Sequence, residues 1–98
     1  MADLRFSWDS RKAAANKRKH GVSFEEAQSV FSDEHALLLD DPEHSDREDR
    51  FVLLGLSSAF RVVVVVHAYW ADDGIIRIVS ARKATRTEQA RYDERWQR

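Results

Sequence analysis

The segment Ile76 to Arg86, Ile-Arg-Ile-Val-Ser-Ala-Arg-Lys-Ala-Thr-Arg, sets four cations (Arg77, Arg82, Lys83, Arg86) and two hydroxyls (Ser80, Thr85) across the junction between a predicted β-strand and a predicted helix. A helix N-terminus adds free backbone N–H groups and the positive end of the helix dipole to that charge, so the junction suits a phosphate. Strand alternation puts Arg77 on the face opposite Ile76 and Ile78, while Arg82 and Lys83 follow the strand end, near the helix that Thr85 caps. One such arginine could equally pair with a carboxylate such as Glu88. Four neighbouring cations, however, repel one another unless an anion arrives.

Three further groups carry chemistry. Lys12, Asn16, Lys19 and His20 fall at i, i+4, i+7 and i+8, one face of a helix. Lysines there are either solvated or set against a phosphate backbone, and His20, at the helix end, is either a cap or a proton donor. Trp8, one turn earlier, stacks on a base or packs in the core, and the area a tryptophan buries favours the core. The loop Pro42 to Arg50 holds His44, Glu48 and their acidic and basic neighbours, the parts of general acid–base catalysis and equally of a salt-bridged loop. A metal on His44 with Asp40, Asp41 or Asp46 is the weaker reading, because the spacing matches no zinc signature and the chain has no cysteine. Arg61 and His67 bracket a valine strand and share a face with Val63 and Val65. We expect Arg61 to reach the same groove as Arg77, and His67 to be a core histidine.

These groups must be positioned by 98 residues, enough for a single domain with one modest core. The composition, 43% hydrophobic and 34% charged, is globular. No apolar run approaches the roughly 20 residues of a membrane helix, the N-terminus lacks a secretory h-region, and without cysteine there is no thiolate or disulfide chemistry. A cytoplasmic protein is expected. The net charge of −1 conceals segregation: +4 over residues 1–24, −9 over 25–49 and +4 over 50–98. Basic ends suit nucleic acid, and the acidic middle suggests a partner surface.

Helix signals are clear. Asp9 or Ser10 caps a first helix that Gly21 ends, and Ser23-Phe24-Glu25-Glu26 reads as a capping box opening a second helix to about Phe31. Strands are expected at Ala36–Leu39, Arg50–Leu56, Val62–Val66 and Ile75–Ser80, with a hairpin turn at Asp73-Gly74. Thr85-Arg86-Thr87-Glu88 is a second capping box, opening a helix to about Trp96. The expected order is α-α-β-β-β-β-α, an α+β domain with a curled, mostly antiparallel four-stranded sheet.

From about residue 6 to 93, the residues Trp8-Asp9, Lys12, Asn16, Lys19-His20-Gly21-Val22-Ser23-Phe24-Glu25-Glu26-Ala27, Asp33, His44-Ser45, Glu48, Arg50, Gly55, Arg77-Ile78-Val79-Ser80-Ala81-Arg82-Lys83-Ala84, Glu88 and Tyr92 resemble the BrnT family. The resemblance implies a type II toxin of RelE-like fold, a small ribonuclease that needs no metal or other cofactor and blocks translation. It implies a BrnA-type antitoxin with a ribbon-helix-helix DNA-binding part, a two-toxin, two-antitoxin assembly, and repression of its own operator DNA. Within it, Arg61, Arg82, His20 and Glu48 are the expected catalytic groups, and Lys12, Lys19, Arg77, Ser80 and Lys83 the RNA contacts. A nucleic-acid-binding or co-repressor subunit without catalysis is the alternative, and the acidic segment as the main surface for a basic partner is a third. The chain departs from the family where an arginine is common late in the third strand: here it reads His67-Ala68-Tyr69-Trp70.

Overall fold

The computed structural model describes residues 4–40, 50–70 and 74–97. It contains β1 (Arg5–Ser7), α1 (Ser10–His20), α2 (Phe24–Ser29) running into a 3-10 turn (Val30–Ser32), β2 (Leu37–Asp40), β3 (Arg50–Leu56), β4 (Val62–Trp70), β5 (Ile75–Lys83) and α3 (Arg86–Glu94), closed by a 3-10 turn (Arg95–Gln97). The α+β class holds, but the sheet has five strands in the order β1-β5-β4-β3-β2, not four. The added strand, β1, pairs parallel to β5, with Arg5 opposite Ile75 and Ser7 opposite Arg77. Three residues of mixed polarity show no alternation in sequence. What fixes them is β5 itself and the packing of Phe6 edge-on against Phe31, with ring centroids 5.1 Å apart. The other pairings are antiparallel.

Both central strands outrun their sequence expectation, β4 continuing to Trp70 and β5 to Lys83. Arg82 and Lys83 therefore lie inside a strand rather than beyond its end. A bulge accompanies the extension: Val66 pairs with Ser80 and His67 with Ile78, which leaves Val79 as the extra residue. The bulge resets the alternation, so that Ile78 and Ala81, three residues apart, both face α1 and α2. On that face they join Val22, Phe24, Ala27, Val30, Leu53, Val63 and Val65 in the main core. The opposite face carries a smaller cluster of Leu54, Val62, Val64 and Tyr92 of α3.

The helix signals act largely as read. Asp9 accepts from the N–H groups of Arg11 and Lys12, and Gly21 ends α1 at φ 71°, a left-handed conformation that glycine adopts without strain. Thr85 and Glu88 form both halves of a capping box on α3. On α2 only half forms. The Ser23 hydroxyl accepts from the Glu26 N–H at 3.0 Å, but the Glu26 carboxylate is drawn to Arg61 and Ser57.

Candidate functional site

Where β4 begins and β5 ends, cations collect on both faces of the sheet. Directly opposed residues point the same way, so Lys83, opposite Val63, lies on the α1–α2 face, and Arg82, opposite Val64, lies on the α3 face. Arg61 shares the Lys83 face. Its Nε donates to Glu26 Oε2 at 2.8 Å and its Nη2 to Glu26 Oε1 at 2.6 Å, while Nη2 also donates to the Gly21 carbonyl at 2.8 Å. The Ser57 hydroxyl donates to the same carboxylate at 2.7 Å. The arginine thus ties the β3–β4 hairpin to the turn between α1 and α2. Its guanidinium, chiefly, holds the Glu26 carboxyl below the ordinary range against the opposing effect of burial, with Ser57 and the more distant charge of Lys83 adding to it. His20 immediately precedes the carbonyl that Arg61 grips, and the last turn of α1 holds Lys17, Arg18, Lys19 and His20. The end of the sheet that carries Arg61 and Lys83 is thereby tied to the basic last turn of α1.

Arg82 is occupied on the other face. Its Nη1 and Nη2 donate to Glu88 Oε1 and Oε2 at 2.7 and 2.9 Å, and the Thr85 N–H donates to Glu88 Oε1 at 2.8 Å. This forked pair, more than any other contact, brings the Glu88 carboxyl down to about 2. The helix N-terminus that the sequence offers to a phosphate is therefore filled by a carboxylate of the chain itself. The pairing alternative for Arg82 is the one realised, and the groove shared by Arg61 and Arg77 is not formed. Arg77 stands opposite Ala68, on the Arg82 face, roughly 16 Å along the strand from Arg82 at about 3.3 Å per residue.

The charges of Lys12 and Arg77 each act on Asp9, whose carboxyl is lowered mainly by the N–H groups of Lys12 and Arg11. Lys12 and Lys19 are exposed, as the helix face requires, but Asn16 between them is not: it is 8% exposed. Its Nδ2 donates to the carbonyls of Val22 and Ala81 at 2.9 and 2.8 Å, and its Oδ1 accepts from the Ala81 N–H at 3.1 Å. It belongs to the frame, pinning α1 to β5. Ser80 is half-buried opposite Val66, in mid-strand. Trp8 packs edge-on against Phe24 at 5.9 Å, the core alternative. His67 is fully buried, as expected of a core histidine, with Phe31 at 4.8 Å and its Nε2 unpartnered. Burial holds its imidazole below the ordinary range. Glu48 and His44 lie outside the described residues.

Sequence reasoning missed two anchors. Glu26 read only as a cap, because its partner is 35 residues away. Asp33 accepts from the Leu56 N–H at 2.8 Å, the Tyr92 hydroxyl at 2.6 Å and the His35 N–H at 3.0 Å, joining β3, α3 and the turn before β2. Burial and this bond push the Tyr92 hydroxyl up to about 12. Among the described residues no three histidine, aspartate or glutamate side chains are grouped as a metal site requires.

A sequence model of a family described as the ribonuclease toxin BrnT of type II toxin–antitoxin systems matches residues 8–88. The crystal structure of the Brucella abortus ribonuclease toxin BrnT, determined at 1.1 Å, superimposes with a TM-score of 0.63 at 20% identity, covering 86% of this chain and 100% of that one. At that identity the likeness establishes the fold. No curated protein sequence matches the chain significantly.

Proposed function

Because the chain belongs to the BrnT family of type II ribonuclease toxins, we propose that it is a metal-independent endoribonuclease that cuts RNA at the cationic end of its sheet and so blocks translation. The observation that carries this reading is the Arg61 bond to Gly21, which fastens the sheet end that bears Lys83 to the last turn of α1 with Lys19 and His20, and Arg82 lies at the same strand end on the opposite face.

Cleavage of this kind needs no co-reactant. The ribose 2′-oxygen loses its proton and bonds to phosphorus, the bond to the 5′-oxygen breaks, and that oxygen takes up a proton, leaving a cyclic phosphate and a 5′-hydroxyl. Arg61 suits the charge that builds on the phosphoryl oxygens, since its guanidinium stays protonated and is held by Glu26 in one orientation. His20 moves a proton, with Glu48 as the second candidate. Lys83 and Lys19 hold phosphates beside the cut and Lys12 serves the RNA farther along α1, whereas Arg77 and Ser80, on the opposite face of the sheet, lie off that track. Arg82, kept in place by Glu88, adds positive field from the far face.

The antitoxin we propose is a BrnA-like protein with a ribbon-helix-helix part, assembled two to two and acting on operator DNA. A second reading is favoured by one observation: both arginines already face carboxylates, Glu26 and Glu88, as in a subunit that binds nucleic acid and leaves it intact. Induced expression without a partner separates the two. Growth arrest with RNA fragmentation, both reduced in Arg61→Lys and Arg82→Ala proteins that remain soluble, supports the ribonuclease. Normal growth with intact RNA supports the binding subunit.

A further inference from the structure

We propose that Phe60 is a stacking platform for a base of single-stranded RNA, standing at the tip of the β3–β4 hairpin beside the cationic sheet end; the proposal rests on the ribonuclease reading of that end. Phe60 is 86% exposed, well beyond the next most exposed large apolar residues, Leu4 and Trp96 at 56%. It also adopts φ 60°, the one positive φ among the described non-glycine residues. The hairpin explains the conformation. The Phe60 N–H donates to the Ser57 carbonyl at 3.0 Å and the Ser57 N–H to the Arg61 carbonyl at 2.9 Å, so a tight turn is closed by one left-handed residue. Glycine or asparagine normally fills that position, because a Cβ strains it.

A bulky aromatic there carries two costs, a strained backbone and an apolar ring left in water, and its ring makes no aromatic contact with another described residue. Strain retained beside a candidate site points to use rather than architecture. The surroundings indicate what the ring meets. Its neighbours in the turn, Ser57, Ser58 and Ala59, are small, so it is an isolated ring and not the centre of an apolar patch such as anchors a protein partner. Arg61 follows it directly, and through the Arg61 bond to Gly21 the hairpin tip is fastened to the basic last turn of α1. An isolated aromatic face among cations is what single-stranded nucleic acid takes, the cations meeting phosphates while the ring meets a base. Every base has a π-face, so the contact tolerates sequence.

The test uses the full chain and a 2′-O-methyl oligonucleotide of mixed sequence, which the 2′-oxygen attack cannot cleave. Binding and thermal unfolding are measured for the wild type, Phe60→Gly and Phe60→Trp. We expect Phe60→Gly to unfold at a higher temperature yet bind about 5- to 150-fold more weakly, the range for loss of one stacked base. Phe60→Trp should bind at least as tightly as the wild type. Equal binding by Phe60→Gly and the wild type, with RNA cleavage intact, overturns the stacking role alone. The same is true if Phe60→Gly binds normally but no longer assembles with the proposed antitoxin, which would make Phe60 a protein anchor. A wild type that neither binds nor cuts RNA overturns the ribonuclease reading and this inference with it.

Discussion

Glu88 gives up its proton far below the ordinary carboxylate range because Arg82 meets both of its oxygens and the Thr85 N–H a third lone pair. The unfolded chain binds that proton near 4.5 and the folded chain near 2, so the contribution is complete above about 4.5 and lost as pH falls toward 2. The pair is partly exposed, 42% at Arg82 and 28% at Glu88, which limits it to about 0.5–1 kcal/mol. Urea unfolding of Glu88→Gln should show that deficit at pH 7, a reduced one near pH 3, and lose it only near pH 2. His67 works at a different pH. Buried and held neutral, it leaves the unfolded chain to take up more protons below its ordinary value of 6.5, so stability falls as pH drops beneath that point. Relative to His67→Leu, the wild type should lose up to about 1.4 kcal/mol per pH unit between pH 6 and 5, read from the same unfolding curves. Its core position was the favoured of two readings, since the six-residue spacing from Arg61 sets it on the valine face but does not say which way that face points. Glu88 as partner of Arg82 was legible too, six residues on. Glu26 was not, because helix periodicity says nothing of a strand residue 35 positions away.

At the scale of elements, short-range signals located the helices and strands, and tertiary contacts set their extent. β3 matches its expected bounds, its apolar run ending at the Ser57-Ser58-Ala59 turn. β4 and β5 run on, through residues 67–70 and 81–83, because each supplies the other with a ladder that no periodicity in these residues marks. Asn16 shows the limit most clearly. Its spacing from Lys12 placed it on a helix face but could not tell that this position turns inward. Since its amide serves both backbone groups of Ala81 and the Val22 carbonyl, Asn16→Ala should cost about 2–4 kcal/mol in thermal or urea unfolding, from buried groups left unsatisfied. Gly55 supports the same frame from β3. A Cβ there would lie 2.9 Å from Val30 Cγ1 and 3.0 Å from Ala36 Cβ, so Gly55→Ala should destabilise by about 1–3 kcal/mol.

Across the whole molecule, charge segregation in the sequence becomes a surface with direction. The last turn of α1 is held at the end of the sheet where the basic strand β5 finishes, although some 60 residues separate Lys19 from Lys83. The site's location was thus readable only as two unconnected basic blocks, and the sheet joins them. The acidic residues 41–49 lie outside the described residues. If the sheet end holds a single strand through three or four phosphates, the logarithm of affinity should fall against the logarithm of salt concentration with a slope of roughly −2 to −3. The central claim is catalysis at that end, and it is met most directly by incubating purified chain with protein-free RNA in excess EDTA, beside His20→Ala and Arg61→Lys. The wild type should yield fragments ending in cyclic phosphate, and His20→Ala should do so at rates lower by about 10²–10⁴-fold. Intact RNA, or cleavage that EDTA abolishes, or variants as fast as the wild type, would contradict that claim.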